Sequence, residues 1–192
     1  MKFREMIAIG VALSWCLGQD CRAAEIEGVR FVDRVGVGDS QLRLRGVGLL
    51  RHRIFLKGYV AALYLGEGFE GEATSAAVLA DVPRRLEIEY FWSIPADSFA
   101  EITRDGIARN VDEGTYRSLE GRIEQLNELY ADVEPGDRYS LTYLPGTGTE
   151  LALNGVSRGR VEGADFSSAL FSLWIGERAL DAQLREQLLA TP

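Results

Sequence analysis

Residues Tyr139 to Val161 read YSLTYLPGTGTELALNGVSRGRV, and this stretch decides the fold. Tyr139, Leu141 and Tyr143 alternate with polar residues, Pro145-Gly146 turns the chain, and Leu151 and Leu153 alternate again. Asn154-Gly155 then gives a strong two-residue hairpin signal leading into Val156 to Val161. Strands joined by such short turns pair antiparallel, because a parallel partner needs a crossover of about a dozen residues. Working upstream, the period changes. Ser93 is expected to cap a helix beginning near Pro95, with Phe99, Ile102, Gly106 and Asn110 on one face. Thr115 is expected to cap a second helix, whose stripe runs through Tyr116, Leu119, Ile123, Leu126, Tyr130 and Val133 until Pro135-Gly136 stops it. Earlier still, Gln41 to Arg45, Ile54 to Leu65 and Arg85 to Trp92 read as strands, and Ala73 to Ala80 as a short helix. Downstream, Asp165 is expected to cap a helix with Phe166, Ala169, Leu170, Leu173 and Trp174 on its apolar side, and Asp181 to Leu189 forms a last short helix. The order of strands, helices, strands and helices implies an α+β fold, with an antiparallel sheet and helices segregated to one side.

The chain has 192 residues, with 21 Lys and Arg against 29 Asp and Glu, a net charge of −8 that argues against nucleic acid as a partner. A hydrophobic share of 46% with 26% charged residues excludes intrinsic disorder and a multi-span membrane protein. Lys2 and Arg4 precede an apolar run from Met6 to Leu17 that is too short to span a bilayer, and small residues follow at Ala23 and Ala24. This pattern reads as a cleaved signal peptide over residues 1–24, followed by one domain over residues 25–192 in the periplasm or outside the cell, with no stable membrane insertion after cleavage. An uncleaved anchor and a lipoprotein cut before Cys16 are the alternatives. Cleavage would remove both cysteines, Cys16 and Cys21, and leave 18 basic against 27 acidic residues, a charge of about −9. With no thiolate and a single histidine, His52, no metal site is expected.

Several motifs resemble chemistry and read better as structure. Gly66-Glu67-Gly68-Phe69-Glu70-Gly71 fits a dinucleotide fingerprint, but Glu67, Glu70 and Glu72 would repel a pyrophosphate, so a turn is expected. Gly155-Val156-Ser157-Arg158-Gly159 fits a nucleophile elbow, yet both flanks read as strands and the only histidine precedes the serine. Pro145 to Thr149 lacks the lysine of a phosphate loop. Glu87 and Glu89 share one face of a strand and are expected to be a solvated face. His52 could ligate haem iron, although between Arg51 and Arg53 an exposed strand residue is the simpler reading. Those arginines enter the most hydrophobic segment of the chain, so one that points inward needs an internal acidic partner or a bound anion.

Four segments then carry a resemblance: Gly46 to Arg51, Phe55 to Leu65, Tyr143 to Thr149 and Leu173 to Gly176, together with Gly163 to Phe166 and Asn110. In order and spacing the chain resembles the bacterial branch of the chalcone isomerase-like family. The resemblance implies an open-faced β-sandwich, a large antiparallel sheet backed by a layer of helices with a ligand cleft between them. Plant chalcone isomerases surround a flavonoid with an arginine, a threonine, a tyrosine and an asparagine. By the resemblance Arg51 keeps the arginine and Asn110 the asparagine, Tyr59 stands at the threonine position and Thr103 at the tyrosine position, and Ser172 and Leu173 fall at a further pocket-lining pair. Exchanging both hydroxyl groups alters volume and donor geometry for ring closure, so no confident catalytic residue is assigned. The resemblance therefore implies a non-catalytic binder of a fatty acid or similar small apolar carboxylate, held at Arg51. The alternatives are an isomerase or intramolecular lyase acting on an unsaturated carbonyl compound through Arg51, Tyr59 and Asn110, and a haem-binding or protein-interaction role. No cofactor is expected, haem being the exception some relatives suggest.

Overall fold

The computed structural model of the protein describes residues 24–52 and 56–190. The signal-peptide reading, with both cysteines, and the Arg53 to Phe55 part of the apolar segment lie outside the described residues.

The decisive stretch forms β7 (Arg138–Leu144), β8 (Gly148–Leu153) and β9 (Val156–Val161), paired antiparallel throughout. Asn154 and Gly155 both adopt positive φ, 51° and 78°, as the hairpin turn that matches strand twist requires. The remaining strands of the same sheet are β3 (Arg34–Val37), β4 (Ser40–His52), β5 (Leu56–Gly66) and β6 (Arg84–Tyr90), and the seven lie in sequence order, every neighbour antiparallel. A separate hairpin, β1 (Ala24–Ile26) and β2 (Val29–Phe31), turns at Glu27-Gly28.

Alternation divides the sheet into an inner face and an outer face. The inner face carries Leu63, Leu86, Ile88, Leu141 and Leu151, and five helices pack against it: α1 (Ser75–Leu79), α2 (Ala96–Asn110), α3 (Glu113–Asn127), α4 (Ala164–Ile175) and α5 (Ala182–Leu189). α4 is the centre of that layer, since every residue from Ala169 to Ile175 is buried, and it touches each of the other helices. A helix buried all round shows no single apolar stripe, which is why the sequence reading gives α4 only one apolar side. At Gly46 and Gly48 any side chain would run into the backbone of Leu188 or the side chains of Leu184 and Gln187, so this glycine pair lets α5 lie directly on β4. The outer face carries Leu42, Leu44, Leu49, Val60 and Tyr64, covered by Val29 and Phe31 of the β1–β2 hairpin.

Several local expectations are corrected. α2 follows Pro95 without a side-chain cap from Ser93, and the Ala96 amide donates instead to Asp132 Oδ1 at 2.8 Å. α3 is capped by Asp112, which accepts from the Thr115 amide at 3.0 Å, rather than by Thr115 itself, and it ends at Asn127, well before Pro135-Gly136. The N-cap residue of α4 is Gly163 rather than Asp165, and Asp165, in the first turn, pairs with Arg122 at 2.6 Å. Ile102, expected inward, is 44% exposed. Glu87 is not on a solvated face: it is 6% exposed, held between Arg85 at 2.9 Å and Arg138 at 3.2 Å, and Arg138 also reaches Glu89 at 2.6 Å. The arginine that the core encloses is Arg84. It is fully buried, donates to the carbonyls of Val78 and Ala80 at 2.8 and 2.6 Å and to Ser167 Oγ at 2.7 Å, and lies over the rings of Tyr143 and Phe171. Burial lowers its pKa to about 10, which leaves it charged at neutral pH.

Candidate functional site

The site is the seam where α2 and α4 meet above the inner face. The α2 face that runs through Phe99, Thr103, Gly106 and Asn110 is set by the helical period and lies against α4. The helices touch at Gly106, where an added Cβ would stand 2.5 Å from Leu173 Cγ. On the sheet side of this contact a void of about 30 Å³ remains, walled by Phe99, Thr103, Tyr130, Leu173, Trp174 and Tyr90 among others. On the solvent side a groove of about 560 Å³ opens between α1 and the C-terminal ends of α2 and α4, lined by Asn110, Ser172, Gly176 and Arg178.

Aromatic rings fill the inner chamber edge to face. Tyr90 stands 5.8 Å from Tyr59, 5.3 Å from Phe99 and 6.1 Å from Tyr139, while Phe99 stacks on Tyr130 at 5.4 Å. Most of the hydroxyls are engaged. Thr103 Oγ1 and Tyr130 OH bond to each other at 2.9 Å, Tyr139 OH donates to the Ala131 carbonyl at 2.8 Å, and Tyr59 OH accepts from Trp174 Nε1 at 3.1 Å. Burial pushes the pKa of Tyr130 up to about 12 and also raises those of Tyr59 and Tyr90 well above the ordinary phenol value, because a phenolate loses its hydration there. All of these groups are therefore neutral hydroxyls at physiological pH.

The structure brings the expected residues together in two groups and leaves one apart. Tyr59, Thr103 and Leu173 surround or adjoin the inner chamber. Asn110 and Ser172 line the outer groove, where Asn110 Nδ2 donates to the carbonyls of Gly106 and Arg178 at 2.9 and 3.2 Å, and Ser172 Oγ donates to the Ala169 carbonyl at 2.6 Å. Arg51 joins neither group. Its side chain is 50% exposed and its guanidinium lies 3.5 Å from Glu27 in the β1–β2 turn, a carboxylate shared with Lys57. A bulge between Leu50 and Arg51 resets the alternation there, with Leu50 packing on the inner core. His52 ends β4, and its side chain lies outside the described residues. Among the described residues no cluster of His, Cys, Asp or Glu could hold a metal ion. The sequence reading placed Tyr90, Tyr130, Tyr139 and Trp174 in strands and stripes but not in a site. The available signal was their common inward parity.

The sequence pattern of the chalcone isomerase-like family matches residues 23–190, so the chain belongs to that family. Among solved structures it is similar to a fatty-acid binding protein of Arabidopsis thaliana, AtFAP1, with a TM-score of 0.70 and 17% identity over 87% of this chain and 95% of that one. At that identity the likeness shows the shared fold. No curated protein sequence matches the chain.

Proposed function

We propose that the protein is exported and binds, without converting it, a small apolar molecule such as a fatty acid in the seam between the sheet and the helices. The observation that carries this reading is the inner chamber, an apolar and aromatic space whose walls, among the described residues, include no charged residue. An apolar lining with a few placed hydroxyls is the usual make-up of a small-ligand site. The fatty-acid binding relative supports the same ligand class. The void is well short of the roughly 300 Å³ that ligand sites start from, so an alkyl chain must displace Phe99, Leu173 or Trp174, and α2 is the element that can yield because Ile102 on it faces solvent. The isomerase reading needs Arg51, Tyr59 and Asn110 on one substrate. Their separate partners, Glu27, Trp174 and the Gly106 carbonyl, favour binding over turnover.

Mass spectrometry of the protein purified from its own host tests the proposal in one experiment. Expected are an N-terminus at Ala24 or Glu25 and an apolar lipid released by solvent extraction. A retained Met1 would overturn export, and extracts free of lipid together with no uptake of a fluorescent fatty acid would overturn binding.

A further inference from the structure

The turn between β8 and β9 carries the one Asn-Gly pair of the chain, Asn154-Gly155, since Asn110 precedes Val111 and Asn127 precedes Glu128. Both turn residues are exposed, and a Cβ added at Gly155 would meet nothing within 4 Å. The backbone nitrogen of a glycine in that setting is an unhindered nucleophile toward the side-chain amide that precedes it. In the folded protein that amide is clamped. Asn154 Oδ1 accepts from the Arg138 amide at 2.9 Å, and Nδ2 donates to Asp137 Oδ1 at 2.8 Å. Asp137 is itself fixed, with Oδ2 accepting from the Glu134 amide at 2.7 Å. The bond from Glu134, and after it the one from Asn154, holds the Asp137 carboxyl below the usual carboxylate range. The clamp therefore ties the β8–β9 turn to the loop before β7 through a charge-assisted bond.

We infer that Asn154 is a modification site, whose amide converts to a carboxylate by ring closure with Gly155 when the clamp opens, and which cannot re-form the clamp afterwards. The Gly155 nitrogen loses its proton to solvent and bonds to Asn154 Cγ, the Cγ–Nδ2 bond breaks, and Nδ2 leaves as ammonia. Water then opens the succinimide at either carbonyl, giving aspartate or isoaspartate. Attack requires Cγ to turn its face to the Gly155 nitrogen and then to become tetrahedral, which the two hydrogen bonds of the amide oppose. In the aspartate product the new carboxylate can still accept from the Arg138 amide, but it has no N–H for Asp137. Two ionised carboxylates then face each other across a hydrogen-bond distance, and the turn is repelled from the loop it was tied to. Isoaspartate lengthens the backbone of a two-residue turn whose dihedrals set the hairpin register. The site is thus a one-way record of turn opening, independent of the ligand seam.

The folded protein and the same protein in urea, both held in mildly alkaline buffer, are digested with trypsin at intervals. The peptide Tyr139 to Arg158 is followed by mass spectrometry for conversion of amide to acid. Conversion is expected at Asn154 in both samples, much more slowly in the folded one, with Asn110 and Asn127 lagging behind as internal controls. Asp137→Ala, checked for folding by its melting curve, should speed conversion of the folded protein about three- to tenfold and leave the rate in urea unchanged. Asn154→Asp should lower the urea midpoint, and combining it with Asp137→Ala should add little further loss. Equal rates in folded and unfolded wild type would overturn the clamp, as would Asp137→Ala converting no faster than the wild type. No conversion even in urea would overturn the modification site. Asn154→Asp as stable as the wild type would overturn the loss of the turn contact.

Discussion

The two faces of the sheet solve the burial of polar groups in opposite ways. The outer face carries charge, and the charges match. Arg85, Glu87, Arg138 and Glu89 form a continuous chain of ion pairs, and Arg138 also lies 4.6 Å over the Phe31 ring of the covering hairpin. The inner face under α2 carries neutral hydroxyls among rings, with a void beside them. A network of satisfied charges fixes a unique arrangement, because moving any member leaves a partner exposed to a low-dielectric interior. Apolar packing with a small gap can be rearranged at the cost of a few contacts. The difference teaches where the molecule can accept a ligand: on the part of the inner face under α2, whose polar groups are uncharged.

The largest effect should come from enlarging the gap on the inner face. Leu173 is 1% exposed and its side chain meets Gly106, so Leu173→Ala should cost about 2–5 kcal/mol of stability in denaturant unfolding. The same change widens the chamber and should tighten binding of an apolar ester, measured by titration. Loss of stability with no gain in binding would show that the chamber is only core.

On the outer face a smaller loss is expected, without any change in binding. Glu87→Gln keeps the shape but removes the charge that joins Arg85 to Arg138, where the carboxylate is nearly enclosed. Charge-assisted hydrogen bonds of this kind contribute about 1.5–3 kcal/mol, and unfolding in guanidinium chloride should show a loss in that range. Ligand affinity that moved with Glu87→Gln would mean that the two faces are coupled through β6, and the contrast between them would fail.

What could be read in the sequence follows the range of the physics involved. Hairpins such as Asn154-Gly155 are set by residues adjacent in the chain, and they were legible without the structure. The β1–β2 hairpin was missed because its strands are three residues each, too short for alternation to show. Arg51 was expected at the ligand by the resemblance, whereas Arg84 was not singled out and is the buried arginine. The bulge at Leu50 that turns Arg51 to the outer face comes from pairing with β5, which no local pattern encodes. Thr103, Asn110, Ser172 and Leu173 came from the resemblance, and helical spacing then explains why they share one seam. Tyr90 shows the limit most clearly. Its inward parity was visible, but its place on the wall of a void is a property of the packed chamber.

The smallest effect should come from Arg51, and it tests whether a cation serves the site at all. Its pair with Glu27 is half exposed, Glu27 has a second cation in Lys57, and pairs in that setting contribute little because water screens them and two long side chains must be held still. Lys57 and Arg51 together hold the Glu27 carboxyl below the usual carboxylate range, with the hydrogen bond from Lys57 as the main cause. Arg51→Met should therefore leave Glu27 ionised and paired, and shift the melting temperature by no more than about 3 °C. Since the guanidinium faces the outer hairpin, decanoate and methyl decanoate should each bind Arg51→Met as they bind the wild type. A tenfold loss confined to decanoate would mean that Arg51 leaves Glu27 to meet a carboxylate. The head group would then be recognised as an anion at the end of β4, and the neutral chamber around Tyr90 would hold only the tail.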